Sequence, residues 1–177
     1  MRRRELLAGV GSVGVLGAAG AVAFGGVPST DGDDGDGGGQ PEPMAIETIE
    51  APGSEAGEIE IPATGEPTFI DFFATWCAPC ETQMPALAEA NDRVGDEVRF
   101  VSVTSEGISE DEIVEWWETH DGGWLLGRDR TAELAARYNQ PGLPYAVAID
   151  ASGTIRWSEP GGKTADELVV GIERAIE

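Results

Sequence analysis

Both cysteines of this chain, Cys77 and Cys80, stand two residues apart in the segment Trp76-Cys77-Ala78-Pro79-Cys80. A pair with this spacing can close and open a small disulfide ring, whereas a structural disulfide usually joins distant segments of a chain. The spacing therefore predicts redox chemistry at this pair.

Two other uses of a cysteine pair fit this sequence less well. A zinc site would need two more ligands from a chain that has no other cysteine and a single histidine, His120. A static disulfide would close a loop too short to constrain the unfolded chain strongly. We therefore predict no metal site and favour catalysis.

The elements around the pair place the two sulfurs differently. The apolar run 69–73 predicts a buried strand that ends just before the pair, and a helix is predicted from near Cys80 to about Asn91. Free N–H groups at the start of a helix stabilise a thiolate, so Cys77 is the expected nucleophile and Cys80, one turn further on and more buried, the resolving thiol. Ala78 and Pro79 lie between the cysteines and are expected to tune the redox potential.

Asp71 interrupts the apolar run six residues before Cys77. A carboxylate inside an apolar strand is costly unless it is paired or protonated, so we expect a raised pKa that suits proton transfer. The alternative is an aspartate on the exposed face of a strand end.

The remaining sequence alternates strand and helix patterns without internal repeats. Strands are predicted at 44–49, 58–61, 98–104, 145–150 and 154–157, helices at 109–120, 131–138 and 164–176, and a short extended piece at 124–126. Parallel central strands with helical crossovers, followed by an antiparallel hairpin and a last helix, predict a mixed α/β sandwich.

The charge of the chain is strongly negative. Its 33 acidic and 11 basic residues give a net charge of −22, which argues against binding nucleic acid or anionic lipid through a basic patch. The composition resembles that of proteins from extreme halophiles. Molar salt reduces the Debye length to about 3 Å and screens the self-repulsion, so we expect the fold to lose order at low salt.

The N-terminal region predicts targeting rather than part of the fold. Three arginines at 2–4 precede an apolar stretch that reaches Val27, a pattern that resembles a twin-arginine signal peptide and is also long enough for a membrane anchor. Residues 28–43 are rich in Asp, Gly and Pro and predict a disordered acidic linker, followed by a domain over 44–177. Both interpretations place that domain outside the cytoplasmic membrane, either anchored on its outer face or secreted.

Several motifs in order resemble the thioredoxin superfamily, and within it the extracytoplasmic, membrane-tethered TlpA/ResA-like branch. They are the run from Phe69 to Cys80, then Met84-Pro85, Gly142-Leu143-Pro144, and the segment Val147 to Ile155. The resemblance implies a thioredoxin-like three-layer sandwich, with a mixed central sheet flanked by helices, over residues 44–177. It implies that Pro144 is a cis-proline, that Trp76, Pro144 and the Leu143 backbone contact substrate, and that Asp71 is the acid that exchanges a proton with Cys80.

Two positions depart from the pattern of the branch. Gln83 stands where many tethered relatives carry a glutamate, and Tyr145 follows the proline where threonine is common. Gln83 cannot titrate, so Asp71 would supply the acid.

The function implied is dithiol–disulfide exchange by a monomer on the cysteines of extracytoplasmic proteins, with a membrane or soluble electron donor and no cofactor. The favoured direction is reduction during maturation of cytochrome c or other secreted cysteine proteins; disulfide formation is the alternative. From other classes, a peroxidase would want threonine where Ala74 stands, and a non-catalytic module would bind a metal through the two cysteines.

Overall fold

Residues 42–177 are described by the structure, a computed structural model, and they form seven strands and four α-helices. The strands are β1 (Met44–Thr48), β2 (Gly57–Ile61), β3 (Thr68–Phe73), β4 (Arg99–Thr104), β5 (Leu125–Arg128), β6 (Tyr145–Ile149) and β7 (Ile155–Pro160). The helices are α1 (Ala78–Val94), α2 (Glu110–Thr119), α3 (Glu133–Arg137) and α4 (Ala165–Ile176). A short 3₁₀ turn, Gly95–Glu97, follows α1.

All seven strands lie in one mixed sheet with the order β2-β1-β5-β4-β3-β6-β7. The central strands β3, β4 and β5 pair in parallel, while β1, β2, β6 and β7 join through antiparallel pairs. The parallel pairs require crossover connections, which α1 and α2 supply. The predicted arrangement of parallel centre, antiparallel hairpin and terminal helix is confirmed.

Two separate apolar cores cover the two faces of the sheet. One core joins the sheet to α1, α2 and α4, with Phe69, Met84, Trp117 and Leu168 among its buried side chains. The other joins the opposite face to α3 and contains Leu134. Helices on both faces of a central sheet make the predicted three-layer sandwich, and β3 is buried along its whole length.

Several element boundaries differ from the prediction. Helix α1 begins at Ala78 rather than near Cys80, and α3 is limited to Glu133–Arg137. The segment predicted as a short extended piece is the strand β5, which pairs with both β1 and β4.

The predicted signal peptide or anchor, 1–27, and nearly all of the predicted linker, 28–43, lie outside the described residues. Within residues 42–177, no helix is long and apolar enough to cross a membrane. The division of the chain into segments therefore stays a prediction.

Candidate active site

The two cysteines form a disulfide at the first turn of α1. Their sulfur atoms are 2.11 Å apart, and Cys77 is the N-cap residue of the helix. The backbone N–H of Cys80 donates to the Cys77 sulfur at 3.3 Å. The geometry therefore provides the donor that would stabilise a thiolate on Cys77 after reduction.

Both sulfur-bearing residues are buried in the oxidised state. Cys77 is 5% exposed and Cys80 is 2% exposed, so the predicted difference in burial is small. Pro79 lies in the first helical turn, where its missing N–H costs no hydrogen bond, and Ala78 and Pro79 are exposed.

A groove of about 450 Å³ opens beside the start of α1. Trp76, 74% exposed, and the half-buried Leu143 line it together with Phe73 and Ile108. Trp76 and Leu143, two of the three residues predicted to contact substrate, thus share one concave and largely apolar surface.

Pro144, the third such residue, is buried and directly precedes β6. The Leu143–Pro144 peptide bond is cis, as the resemblance implied; Ile61–Pro62 is also cis, which nothing in the sequence indicated. Tyr145, the first residue of β6, pairs with Phe72 near the end of β3. Pro144 therefore lies next to the point where the chain leaves β3 and continues to the cysteines.

Tyr145 itself does not line the groove, but its buried ring stacks on Phe72, which does, with centroids 6.0 Å apart. Its hydroxyl donates to the Tyr138 carbonyl at 3.3 Å.

Asp71 is 1% exposed in the middle of β3, which excludes the alternative of an exposed strand end. Burial raises its pKa to about 7, although hydrogen bonds from Ser102 and Gln83 act in the opposite direction. Gln83 Nε2 donates to one carboxylate oxygen at 3.1 Å, and Ser102 Oγ donates to the other at 3.2 Å. The expected raised pKa is present, and its cause is loss of solvent.

Two polar partners of this site were missed by sequence reasoning. Ser102 lies opposite Asp71 in the parallel pairing of β3 and β4, and Trp124 Nε1 donates to its hydroxyl at 2.9 Å. Ser102 interrupts the apolar run of β4 as Asp71 interrupts that of β3, at the fourth residue of each strand. That shared position was the available signal.

Glu106 is a third side chain that the sequence did not single out. Its carboxylate accepts from the Thr75 N–H at 2.7 Å, the Thr75 hydroxyl at 3.0 Å and the Thr104 hydroxyl at 3.1 Å. Since Thr75 precedes Trp76, Glu106 ties the loop after β4 to the segment that leads into the cysteines, and it also lines the groove.

Four tryptophans other than Trp76 serve packing: Trp117, Trp124 and Trp157 are buried and Trp116 is half-buried. His120 is partly covered: its ring contacts Trp116 with centroids 4.4 Å apart, and Nε2 lies 3.5 Å from Glu81. Among residues 42–177, no three His, Cys, Asp or Glu side chains are grouped as metal ligands would be.

A mixed sheet between helical layers, a Cys-x-x-Cys disulfide at a helix start and a cis-proline at the neighbouring strand define a thioredoxin-like protein. Comparison with known families agrees: the Redoxin family model matches residues 51–173, more than half of the chain. The chain therefore belongs to the Redoxin family.

Two proteins of similar sequence are named as a thioredoxin-like protein and a thiol-disulfide oxidoreductase. Thioredoxin-like protein YneN of Bacillus subtilis is 30% identical over 108 residues, which are 60% of this chain and 63% of YneN. Thiol-disulfide oxidoreductase ResA of Geobacillus kaustophilus is 28% identical over 116 residues, 64% of this chain and 63% of ResA. The matched region thus covers a little less than two thirds of either relative.

The crystal structure of StoA from Bacillus subtilis is similar in fold. It superimposes with a TM-score of 0.63 at 25% sequence identity, over 73% of this chain and 96% of StoA. The likeness to the TlpA/ResA-like branch inferred from the motifs is confirmed.

Proposed function

We propose that the protein is a thiol–disulfide oxidoreductase that exchanges its Cys77–Cys80 disulfide with cysteines of other proteins. The observation that carries the proposal is the position of this disulfide at the start of α1, with the backbone N–H of Cys80 directed at the Cys77 sulfur. A redox-active pair needs a stabilised thiolate on the attacking cysteine, and this geometry supplies it. Membership of the Redoxin family and similarity to ResA support the same conclusion.

Exchange would proceed in two substitutions at sulfur. In the reduced protein, the Cys77 thiolate attacks a substrate disulfide, a mixed disulfide forms, and the other substrate sulfur leaves as a thiolate. The Cys80 thiolate then attacks the Cys77 sulfur, the mixed disulfide breaks, and the second substrate thiolate leaves. Two electrons pass to the substrate, and a dithiol donor protein restores the reduced pair.

Asp71 would accept the proton that Cys80 must lose in the second substitution. Its carboxylate accepts a hydrogen bond from Gln83, which lies one helical turn after Cys80 on the same side of α1. A group with a pKa of about 7 is protonated and ionised in comparable amounts near neutral pH, as a reversible proton acceptor requires.

The groove formed by Trp76 and Leu143 would hold the substrate segment next to its reacting cysteine. Ala78 and Pro79 are exposed beside it and would adjust the potential of the pair. At the bend before Pro144, the Leu143 backbone would pair with the substrate chain as an added strand does.

We further propose that the domain acts outside the cytoplasmic membrane, mainly as a reductase in maturation of cytochrome c or other exported cysteine proteins. The arginines and apolar stretch of residues 1–27 support export by a twin-arginine route or anchoring. The acidic composition supports a high-salt environment. A redox potential far on the oxidising side of thioredoxin's would favour disulfide formation instead.

Partner trapping tests this function directly. The variant Cys80→Ser keeps the attacking sulfur but lacks the thiol that resolves the mixed disulfide, so partners should accumulate in covalent complexes that a reductant releases. Cys77→Ser is the matched control, because it keeps one thiol but removes the attacking one. Equal trapping by both variants, or trapping by neither, would count against the proposal.

A further inference from the structure

A buried chain of hydrogen bonds surrounds Asp71 and extends beyond its direct partners. On one side, Trp124 Nε1 donates to Ser102 Oγ at 2.9 Å, and Ser102 donates to Asp71 at 3.2 Å. On the other side, the backbone N–H of Lys163 donates to Gln83 Oε1 at 2.8 Å, and Gln83 Nε2 donates to Asp71 at 3.1 Å. The side chains of all four residues other than Lys163 are buried.

The outer members of this chain fix the direction of the inner bonds. An indole N–H can only donate, so Ser102 accepts from Trp124 and its single proton is left for Asp71. A backbone N–H can also only donate, so the Gln83 oxygen faces Lys163 and the amide NH₂ faces Asp71. Each carboxylate oxygen therefore meets a donor, and the Gln83 amide cannot flip without losing its bond from the Lys163 N–H.

We propose that Gln83, Ser102 and Trp124 are positioning residues that hold the Asp71 carboxylate, with both oxygens bonded, ready to receive the proton of Cys80. Gln83 thus takes a role of its own in this chain rather than being an inert replacement for an acid. The proposal rests on the proposed function, since a buried proton acceptor is useful here only if the thiols react.

Energetics explain why such donors are needed. Transfer of a carboxylate into an apolar interior favours its protonated form, and a protonated Asp71 could not take a proton from Cys80. Hydrogen bonds to the carboxylate oppose that effect and keep its pKa at about 7 instead of higher. The two donors are therefore the means by which a buried acid still ionises near neutral pH.

Among the described residues, no charged group contributes to the pKa of Asp71. From α1 Asp71 meets the neutral Gln83, from β4 the neutral Ser102, and from β6 the residue paired with it is Ala146. Lys163 contributes its backbone, because its ammonium donates to two carbonyls of its own loop and lies 3.5 Å from Glu159.

The test is a carbon-13 NMR titration of the Asp71 carboxyl in the oxidised full chain, in which the cysteines do not titrate, at constant salt. We expect a midpoint near pH 7 in the original protein. Gln83→Leu and Ser102→Ala should each raise the midpoint by about one pH unit, because each removes a donor to the charged form. Trp124→Phe should raise the midpoint less, since Ser102 keeps its hydroxyl. Ser102→Thr, which also keeps a hydroxyl, should have a midpoint close to that of the original protein.

A matched control separates this role from general destabilisation. Thr68 lies on the same strand, is buried, and accepts a hydrogen bond from the Ala63 N–H at 2.9 Å without contacting Asp71. Thr68→Val should lower stability and leave the midpoint unchanged. An unchanged midpoint in folded Gln83→Leu or Ser102→Ala, or an equal rise in Thr68→Val, would overturn the proposal; if one donor variant does not fold, the other decides.

The pH dependence of disulfide reduction by dithiothreitol provides a second measurement. If Asp71 exchanges a proton with Cys80, the profiles of the variants should shift by the same amount as the NMR midpoints. A protein without exchange activity at any pH would contradict the proposed function, while the NMR titration would still decide whether these residues control Asp71.

Discussion

At the scale of single residues, the buried carboxyl of Asp71 connects chemistry with stability. Burial raises its pKa from the ordinary 3.8 to about 7, so the folded chain binds this proton more tightly than the unfolded chain does. The contribution of Asp71 to stability is therefore greatest below pH 4 and is lost as the pH rises through 7.

Replacing the Asp71 carboxyl by a neutral amide should remove the loss of stability between pH 4 and pH 8. We expect oxidised Asp71→Asn to be more stable than the original protein at pH 8, by up to about 4 kcal/mol from the size of the pKa difference, and nearly equal to it at pH 4. Guanidinium unfolding of both proteins at the two pH values, at one salt concentration, measures the difference. A variant that is less stable at pH 8 would show that the carboxylate is not strained by burial.

The same substitution should slow catalysis. We expect Asp71→Asn to turn over more slowly at neutral pH because the proton of Cys80 has no buried acceptor, and the defect should shrink at high pH, where the thiol ionises unaided. Insulin reduction between pH 6 and pH 9 measures this effect. A rate equal to that of the original protein throughout would remove Asp71 from the mechanism.

The sequence predicted the reacting residues of the site but not the partners that hold Asp71. Cys77, Cys80 and Asp71 could be found because a short cysteine spacing and a charge within an apolar strand are unusual locally. The roles of Ser102 and Trp124 depend on the register between β3 and β4 and on a contact from the loop before β5. A polar residue within the apolar run of β4 was a local signal for Ser102, but the pairing of Ser102 with Asp71 and its contact with Trp124 are long-range and appeared only with the structure.

At the scale of elements, local chemistry explains the boundaries that were predicted and those that were not. The starts of α2 and α4 lie within one residue of the predicted positions, and each has a capping box, Ser109 with Glu112 and Thr164 with Glu167. Helix α1 starts earlier than expected because Cys77 itself serves as the cap.

Helix α4 depends on a glycine where it packs on the sheet. A methyl group added to Gly171 would lie 2.5 Å from the Trp157 ring, which is buried between α4 and β7. Gly171→Ala should therefore destabilise the protein by about 1–3 kcal/mol, although alanine favours helix formation by about 1 kcal/mol. Val170→Ala, on the exposed side of the same helix, should change stability by less than about 0.5 kcal/mol in the same denaturation assay. A stabilised Gly171→Ala protein would contradict the packing described.

At the scale of the whole molecule, charge is the dominant feature. With 33 acidic and 11 basic residues, most carboxylates have no cation to pair with. Two of the paired arginines are shared between carboxylates: Arg130 contacts both Glu47 and Glu110, and Arg93 contacts both Glu89 and Asp166. Exposed pairs of this kind contribute little to stability, so self-repulsion is left uncompensated at low salt.

We therefore expect the fold to depend on salt. The far-UV circular dichroism of the full chain should show ordered structure at molar potassium chloride and lose much of it in millimolar salt, because the repulsion is no longer screened. Adding an equal ionic strength of a different neutral salt should restore the spectrum. A spectrum that does not change between the two conditions would rule out this interpretation of the composition.

The central claim, that Cys77 and Cys80 exchange a disulfide with other proteins, is tested most directly by following the disulfide itself. The reduced full chain is mixed at molar salt with a disulfide-bonded protein, quenched with an alkylating agent and analysed by mass spectrometry. We predict one new Cys77–Cys80 disulfide for each substrate disulfide lost, and no transfer by Cys77→Ser. Loss of substrate disulfides without oxidation of this pair, or a pair that stays reduced with all protein disulfides, would contradict the account.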